Sequence, residues 1–430
     1  MMPSKNNVFR WVAVAIFFLF MLLHQTDRLL IGPLTSSIMA EFNLTESQMG
    51  SIFTGSLILG SVFYPIWGIL FDRYARPKLL ALASLIWGLT TWMSSLAPTA
   101  GTFLITRAST GIDDSSYPGI ASLISDYFRP DKRSRIFGFL QLTIPLGYLA
   151  GILLALELGP VIGWRMIYLF TGLVGLIMAG LILIGVKDLP RGSSEPAFSE
   201  VEEINKAPVT KTALAGLLRI PTLQFLFLQG VIGVLPWQVI TFWSFRYLEV
   251  ERNFTAQTIS SVMIPAVLMI GLGYFLGGFL GDLAYQRTPQ GRLYVALFGV
   301  LMGAILLTAT LNTPLDKIGL FRCLLSATCL FIPLASPNIA TAVYDVVLPE
   351  VRSTATSIQY FLGNIGSAFA PLLAGIIAER FSLETAILSI GLVSWLISAA
   401  VLLLALRFLP IDMAAMHQEL NRRAAGEPAP

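Results

Sequence analysis

WVAVAIFFLFMLLHQTDRLLI, residues 11–31, is an apolar run interrupted by His24, Asp27 and Arg28. At 1.5 Å per residue a helix of this length crosses a hydrocarbon core of about 30 Å. An Asp or Arg near the middle of such a helix costs about 2.5 to 3.5 kcal/mol on insertion scales. These groups are therefore expected to face a protein interior, a partner or water rather than lipid. The rest of the chain has to supply that interior.

The composition agrees with a protein built to do so. Of 430 residues, 55% are hydrophobic and 12% charged, with a mean hydropathy of +0.74, whereas an ordinary soluble domain carries roughly a quarter charged residues. Twelve apolar segments of about 18 to 30 residues follow one another, each long enough to span a bilayer. They begin near Trp11, Gln48, Leu79, Thr102, Ile136, Met166, Pro221, Ala256, Leu293, Leu315, Ser353 and Leu383. The expectation is an all-α membrane protein of twelve transmembrane helices. The first run has a basic flank, Lys5 and Arg10, but is too long for a signal-peptide core and is read as an uncleaved first helix.

Charge fixes an expected orientation. With the N-terminus inside, 20 of the 28 Lys and Arg fall in cytoplasmic segments, 5 in outer loops and 3 within helices (Arg28, Arg107 and Arg322). Positive-inside bias then makes both termini cytoplasmic and needs no nucleic-acid partner. No nucleotide-binding loop, HExxH or CxxC is present, and Cys323 and Cys329 lie on different faces of one helix, so no cofactor, metal or disulfide is expected.

The single long polar connection, Lys187 to Arg219, divides the chain. The expected organisation is an N-terminal segment 1–10, a six-helix bundle 11–187, a linker 188–219 with a short surface helix near Glu200 to Lys206, a second bundle 220–409 and a tail 410–430 that is amphipathic and then disordered. The halves are weakly self-similar. GILFD (Gly68 to Asp72) is echoed by GFLGD (Gly278 to Asp282), and DYFRPDKRS (Asp126 to Ser134) by DVVLPEVRS (Asp345 to Ser353). Such self-similarity is the expected trace of an internal repeat. Thr45 to Gln48 forms a capping box before the second helix.

GILFDRYARPKLL, Gly68 to Leu80, resembles the signature loop between helices two and three of the major facilitator superfamily, with Ala75 where that family usually has glycine. The resemblance implies the major facilitator fold and a cytoplasmic gate drawn from Gly68, Asp72, Arg73, Arg76, Lys78, Asp126, Arg133, Gly278, Asp282 and Arg352. Asp72 can face the N-terminus of the eleventh helix, whose partial positive charge favours an anion, while Arg73, Arg76 and Lys78 can meet Asp126. The other reading of these residues is a set of solvated positive-inside charges. Asp27-Arg28, RASTGIDDSSY (Arg107 to Tyr117), and ISDYF followed by RS, IPLG and GWR (Ile124 to Arg165) are similar to the spinster-like branch. In that branch an acid, usually Glu, stands between a glycine and a tyrosine, three residues before the tyrosine. Asp114 holds that place here, and Asp113 replaces a small residue.

Geometry places a cluster independently of any family. Asp27 lies about 24 Å along the first helix and Arg107 about 8 Å below the opposite start of the fourth, at nearly equal depth, so the two can pair. Arg107, Gly111 and Asp114 at i, i+4 and i+7 share a helical face. Asp27, Asp114, Asp113 and His24 are the expected proton-coupling groups, and displacement of a neighbouring Arg would switch their affinity for protons. Arg28, Arg107, Tyr117, Trp237, Gln238, Arg322, Asn338, Tyr360 and Asn364 are the expected substrate-cavity residues, with Pro236, Pro333 and Pro337 kinking their helices nearby. The alternative for His24 is a satisfied structural histidine, and for Arg28 a structural ion pair. Gly138, Gly147 and Gly151 in the fifth helix are read as close packing.

The expected function is secondary active transport by alternating access, coupled to protons. The spinster-like resemblance implies a lysolipid, a sphingolipid or another amphipathic anion. A small organic anion such as a sugar acid is the alternative, since paired arginines serve it equally well. A non-transporting receptor on the same fold stays open. A membrane enzyme using Asp113 and Asp114 is disfavoured, because adjacent carboxylates on a helix point about 100° apart. Partners are expected to be the lipid bilayer, protons and a small-molecule substrate, in a monomer of a bacterial or archaeal inner membrane.

Overall fold

The computed structural model describes residues 5–113, 117–128, 136, 137, 139–190, 216–347 and 351–424. Among these the chain is helical throughout, with no strand. Backbone polar groups in hydrocarbon must be satisfied within the segment itself, and a helix does this.

The helices are α1 (Lys5–Phe42), α2 (Glu46–Arg73), α3 (Arg76–Ser95), α4 (Ala100–Ser109), α5 (Tyr117–Tyr127), α6 (Thr143–Leu153) and α7 (Gly159–Gly185). After the linker come α8 (Pro221–Val250), α9 (Ala256–Tyr285), α10 (Gly291–Leu311), α11 (Ile318–Phe331), α12 (Ala335–Asp345), α13 (Arg352–Ser367), α14 (Ala370–Arg380) and α15 (Leu383–Ala424). Among the described residues nine helical stretches are long and apolar enough to cross a membrane, rather than twelve. The difference has local causes. The third expected segment, α3, opens on Arg76 and Lys78; the fourth is interrupted between α4 and α5; and the fifth and sixth run together as Phe139–Gly185.

Boundaries also shift. The first helix does not stop at Ile31 but continues through Pro33 to Phe42. The last continues through Pro410 to Ala424, so the first part of the expected tail is helix. Thr45 caps α2 as its sequence predicts: Gln48 N donates to Thr45 Oγ1 at 3.3 Å and Thr45 N donates to Gln48 Oε1 at 3.0 Å. Residues 191–215, including the expected linker helix, lie outside the described residues.

The chain forms two compact units. One comprises Met1–Lys206 with Thr241–Val250 and Pro371–Glu379, the other Ala207–Ile240, Glu251–Ala370 and Arg380–Pro430. Within the first, α3 packs on α7 so closely that a Cβ on Gly88 would lie 2.7 Å from Leu176 N. The expected packing role of Gly147 and Gly151 holds: a Cβ on Gly147 would lie 2.8 Å from Gln25 Cβ on α1, and one on Gly151 3.2 Å from Thr26 O. Gly138 lies outside the described residues. Two irregularities follow α6. Leu154–Leu158 is a π turn, and Gly163 at φ 78° breaks the first part of α7, a conformation that favours glycine. The ends of α8 and α14 that belong to this unit are tied to α1 and α2: Arg246 donates to Glu46 Oε1 at 2.8 Å, and the Phe53 and Phe242 rings stack at 4.4 Å.

Candidate functional site

The interior that α1 requires is supplied by α3, α4, α5 and α7. His24, Asp27, Arg107 and Asp113 are 3%, 2%, 4% and 0% exposed, so each is fully withdrawn from the surface. His24 bridges two groups: Nε2 lies 2.6 Å from Asp113 Oδ2 and Nδ1 lies 2.7 Å from Tyr117 Oη. With Asp113 ionised, Nε2–H donates to the carboxylate. Nδ1 then accepts from the tyrosine hydroxyl when the ring is neutral, and donates to it when the ring is protonated. Gln25 Nε2 also donates to Tyr117 Oη, at 3.3 Å.

One turn further along α1, Asp27 is held by hydroxyls. Thr91 donates to Oδ2 at 2.9 Å and Thr171 to Oδ1 at 2.7 Å. Arg107 Nη1 stands 3.5 Å from Oδ2, and its guanidinium sits 4.7 Å from the Tyr168 ring centroid. The expected proximity of Asp27 and Arg107 is therefore present, as a loose ion pair whose carboxylate already has two hydroxyl donors. His24, Asp27, Arg28 and Arg107 line one cavity of about 450 Å³, walled by Trp87 and by apolar residues of α1 and α2.

The expected face shared by Arg107, Gly111 and Asp114 is not continuous. After Ser109 the chain tightens into a 3-10 turn over Thr110–Ile112. A Cβ on Gly111 would lie 2.1 Å from Ser56 O, so this glycine lets α2 approach rather than a ligand. Asp113 is the acid that meets His24; Asp114 lies outside the described residues.

At the end of the first unit that carries the signature loop, one cation of the expected three makes the contact. Arg76 binds Asp126, donates to Asp188 Oδ1 at 2.7 Å and reaches Ser122 Oγ at 2.8 Å and Leu189 O at 2.6 Å. Burial works against the charged form of Arg76, and the hydrogen bonds to Asp126 and Asp188 outweigh it, holding the guanidinium above its ordinary range. Arg73 and Lys78 are exposed, as the other reading of this loop had them. The side chains of Asp72 and Arg352, and all of Arg133, lie outside the described residues. Asp188 was missed because it follows the last apolar residues of the sixth segment and reads as linker. Around Gly68 and Gly278 there is open space at the Cβ position.

The second unit repeats the arrangement with a residue that the sequence reading also missed. Arg292 donates to Asp345 Oδ2 at 2.8 Å and to Asp282 Oδ1 at 2.9 Å. Asp345 is the repeat counterpart of Asp126, which makes Arg292 the counterpart of Arg76. The match was hidden by spacing: Arg76 follows Asp72 by four residues and Arg292 follows Asp282 by ten.

The second unit has its own open cavity, about 1030 Å³, lined by Trp237, Tyr360 and Asn364 together with Gln359, Tyr274 and Trp395. None of its lining residues is charged. Gln238 is buried outside this lining, and Asn338 is a structural lock, its Nδ2 donating to Gly277 O and Leu334 O at 2.8 Å each. Arg322 does not reach the cavity. It is exposed because its neighbour Phe321 takes the inward face of α11. The buried arginine is Arg252, whose Nη2 donates to Leu311 O at 2.6 Å and whose guanidinium lies 4.4 Å from the Phe321 ring centroid. Pro333 sits in the 3-10 turn Ile332–Leu334 that interrupts α11 and α12, at the cavity wall.

Known proteins place this geometry in a lineage. The chain is 28% identical over 382 residues to protein spinster of Drosophila melanogaster, an alignment covering 86% of this chain and 62% of that protein. It thus spans under two thirds of that relative's length. It is 24% identical over 387 residues to the hexuronate transporter of Bacillus subtilis (strain 168), covering 85% of this chain and 87% of that one. A crystal structure of a bacterial homologue of the human lysosomal transporter spinster, inward-facing and unoccupied, superposes with a TM-score of 0.76 at 19% identity, covering 97% and 99% of the two chains. The two related arginine clusters, the apolar helices and a sequence profile matched over residues 16–371 agree, and the chain belongs to the Major Facilitator Superfamily.

Proposed function

We propose that this spinster-type transporter is a proton-coupled secondary carrier working by alternating access, with Asp27, Asp113 and His24 as the coupling groups. One observation carries the reading: a buried histidine bridges a buried carboxylate and a tyrosine, one helical turn from a second carboxylate loosely paired with a buried arginine. A charge cluster in the membrane interior is a functional-site hypothesis by default. Protonation of Asp27 removes the charge that attracts Arg107, and the guanidinium is then available to an anion in the cavity that Arg28 also lines. Asp114 completes the proposed coupling set, and Tyr117 belongs to the proposed substrate-cavity set.

The proposed substrate is an amphipathic anion of the lysolipid or sphingolipid kind, on the relationship to spinster proteins. The second reading is a small organic anion. It is favoured by the hexuronate transporter among the relatives and by the uncharged aromatic and amide cavity of the second unit, suited to hydroxyl groups. Twelve spans are proposed by adding α3 to the nine stretches, counting α4 with α5 as one more, and separating Phe139–Gly185 into two at its π turn and Gly163. Both termini are proposed to be cytoplasmic, in a monomer of a bacterial or archaeal inner membrane.

The test is uptake into proteoliposomes, with and without a pH gradient, of substrates first ranked by thermal shift across lysolipids and sugar acids. The coupled reading expects accumulation driven by the gradient and lost in Asp27→Asn. Gradient-independent flux in both proteins would overturn it, and stabilisation only by sugar acids would transfer the assignment to the second reading.

A further inference from the structure

A crevice of about 600 Å³ lies within the first unit, between α1, the π turn after α6, and α7. Its lining is apolar except for Thr26 and Thr171. Along α7 it is formed by Ile167, Phe170, Thr171 and Val174, spaced i, i+3, i+4 and i+7, one face of a helix. That face runs for about 10 Å parallel to the helix axis. The crevice is therefore a slot aligned with the helix axis, and it opens onto the apolar exterior, where Phe170 and Leu158 are 52% and 43% exposed.

Its inner wall is shared with the polar cluster. Trp87 lines both the slot and the cavity that holds His24 and Asp27. Its indole ring lies 5.3 Å from the His24 ring, edge on. Thr171, on the slot, is the donor to Asp27 Oδ1. The π turn Leu154–Leu158 contributes two of the lining residues, and such turns inside α-helices are frequent at functional sites.

We propose that this slot binds one acyl chain of a bilayer phospholipid, and that the chain reaches as far as Thr171, the hydroxyl that holds Asp27. The lining selects hydrocarbon, the axis matches that of lipid chains, and the mouth is continuous with the surface that the bilayer covers. The site is separate from the proposed transport cavity, and lipid composition would act on the coupling carboxylate by filling or leaving the slot. A folded globular exterior rarely keeps an apolar slot of this kind, whereas in a membrane the occupant is the solvent itself.

The full chain in nanodiscs of phosphatidylglycerol carrying a mid-chain diazirine tests this directly. After irradiation, adducts on Thr171 and Val174 are expected at severalfold the density found on Leu183 and Ile184, which are 57% and 85% exposed on the same helix. Equal or lower labelling of Thr171 and Val174 would overturn the proposal. Val174→Phe, which narrows the slot, is expected to remove adducts from Thr171 while sparing Ile184; persistence of the Thr171 adducts would also overturn it. Should that variant fail to fold, Leu158→Trp at the mouth gives the same reading. A two-chain phospholipid is the probe and no transport is measured, so the outcome is independent of whether the proposed carrier function holds.

Discussion

Arg76 and Arg292 occupy matching places in the two units, each joining the acid of a repeated loop to a second acid, while the interiors beside them have diverged. The first unit holds two buried pairs, His24 with Asp113 and Asp27 with Arg107. The second offers a cavity without a charged lining residue. Symmetry has been kept where the helices are tied at their ends and lost where chemistry is proposed. An ion in the hydrocarbon region is costly, so one cluster suffices and a second would only add desolvation. The uncharged half is then free to fit the shape and hydroxyl pattern of a substrate.

The tie is also unequal, and this gives the largest expected effect. The Arg76 side chain is 1% exposed and its partners Asp126 and Asp188 8% and 35%; Arg292 is 14% exposed and its partners Asp282 and Asp345 70% and 16%. Removing one member of a buried pair leaves its partner charged and unpaired, at about 3 to 5 kcal/mol. Arg76→Ala should reach that range in denaturation of the detergent-solubilised protein. Arg292→Ala should cost about 1 kcal/mol, since water screens Asp282. Equal losses would mean that the two units are bound more alike than their burial suggests.

The division of chemistry is tested next. Asp27→Asn and Asp113→Asn should each lower pH-driven uptake by about 100-fold, the scale on which removal of an essential proton-transfer group acts. Counterflow with no gradient should survive. Trp237→Ala in the second unit should instead raise the half-saturating substrate concentration about tenfold, the loss of one aromatic contact, with the pH dependence unchanged. A Trp237 variant that uncouples transport from protons would erase the distinction between the two interiors.

The sequence made some of this legible and hid the rest for identifiable reasons. Apolar runs interrupted by His24, Asp27 and Arg28 announced both the membrane and a polar interior, because burial cost alone demands a partner. Depth along two antiparallel helices brought Asp27 to Arg107. Depth does not determine the face, and for this reason Arg322 is exposed while its neighbour Phe321 is buried. Nor can a 3.6-residue wheel anticipate the 3-10 turn over Thr110–Ile112, where α2 packs against Gly111. Arg292 escaped because the connection before it is six residues longer than its counterpart, and Asp188 because linker composition masks a residue whose partner is on another helix.

Gly68 and Gly278 supply the smallest effect and a discriminating one. Both belong to the repeated signature, yet a Cβ built on either meets nothing within 4 Å, unlike one on Gly281, which would lie 1.7 Å from Asn338 Oδ1. A glycine kept only for packing would be crowded. Gly68→Ala should therefore leave stability within about 0.5 kcal/mol of the parent, the range of a surface change, whereas Gly281→Ala should lower it by about 1 to 3 kcal/mol through overpacking. Transport by the Gly68→Ala protein then separates two roles for the signature glycine. Unchanged flux at unchanged stability would make it dispensable. Lost flux at unchanged stability would mean that the close approach requiring glycine belongs to another stage of the transport cycle, the behaviour expected of a gate residue.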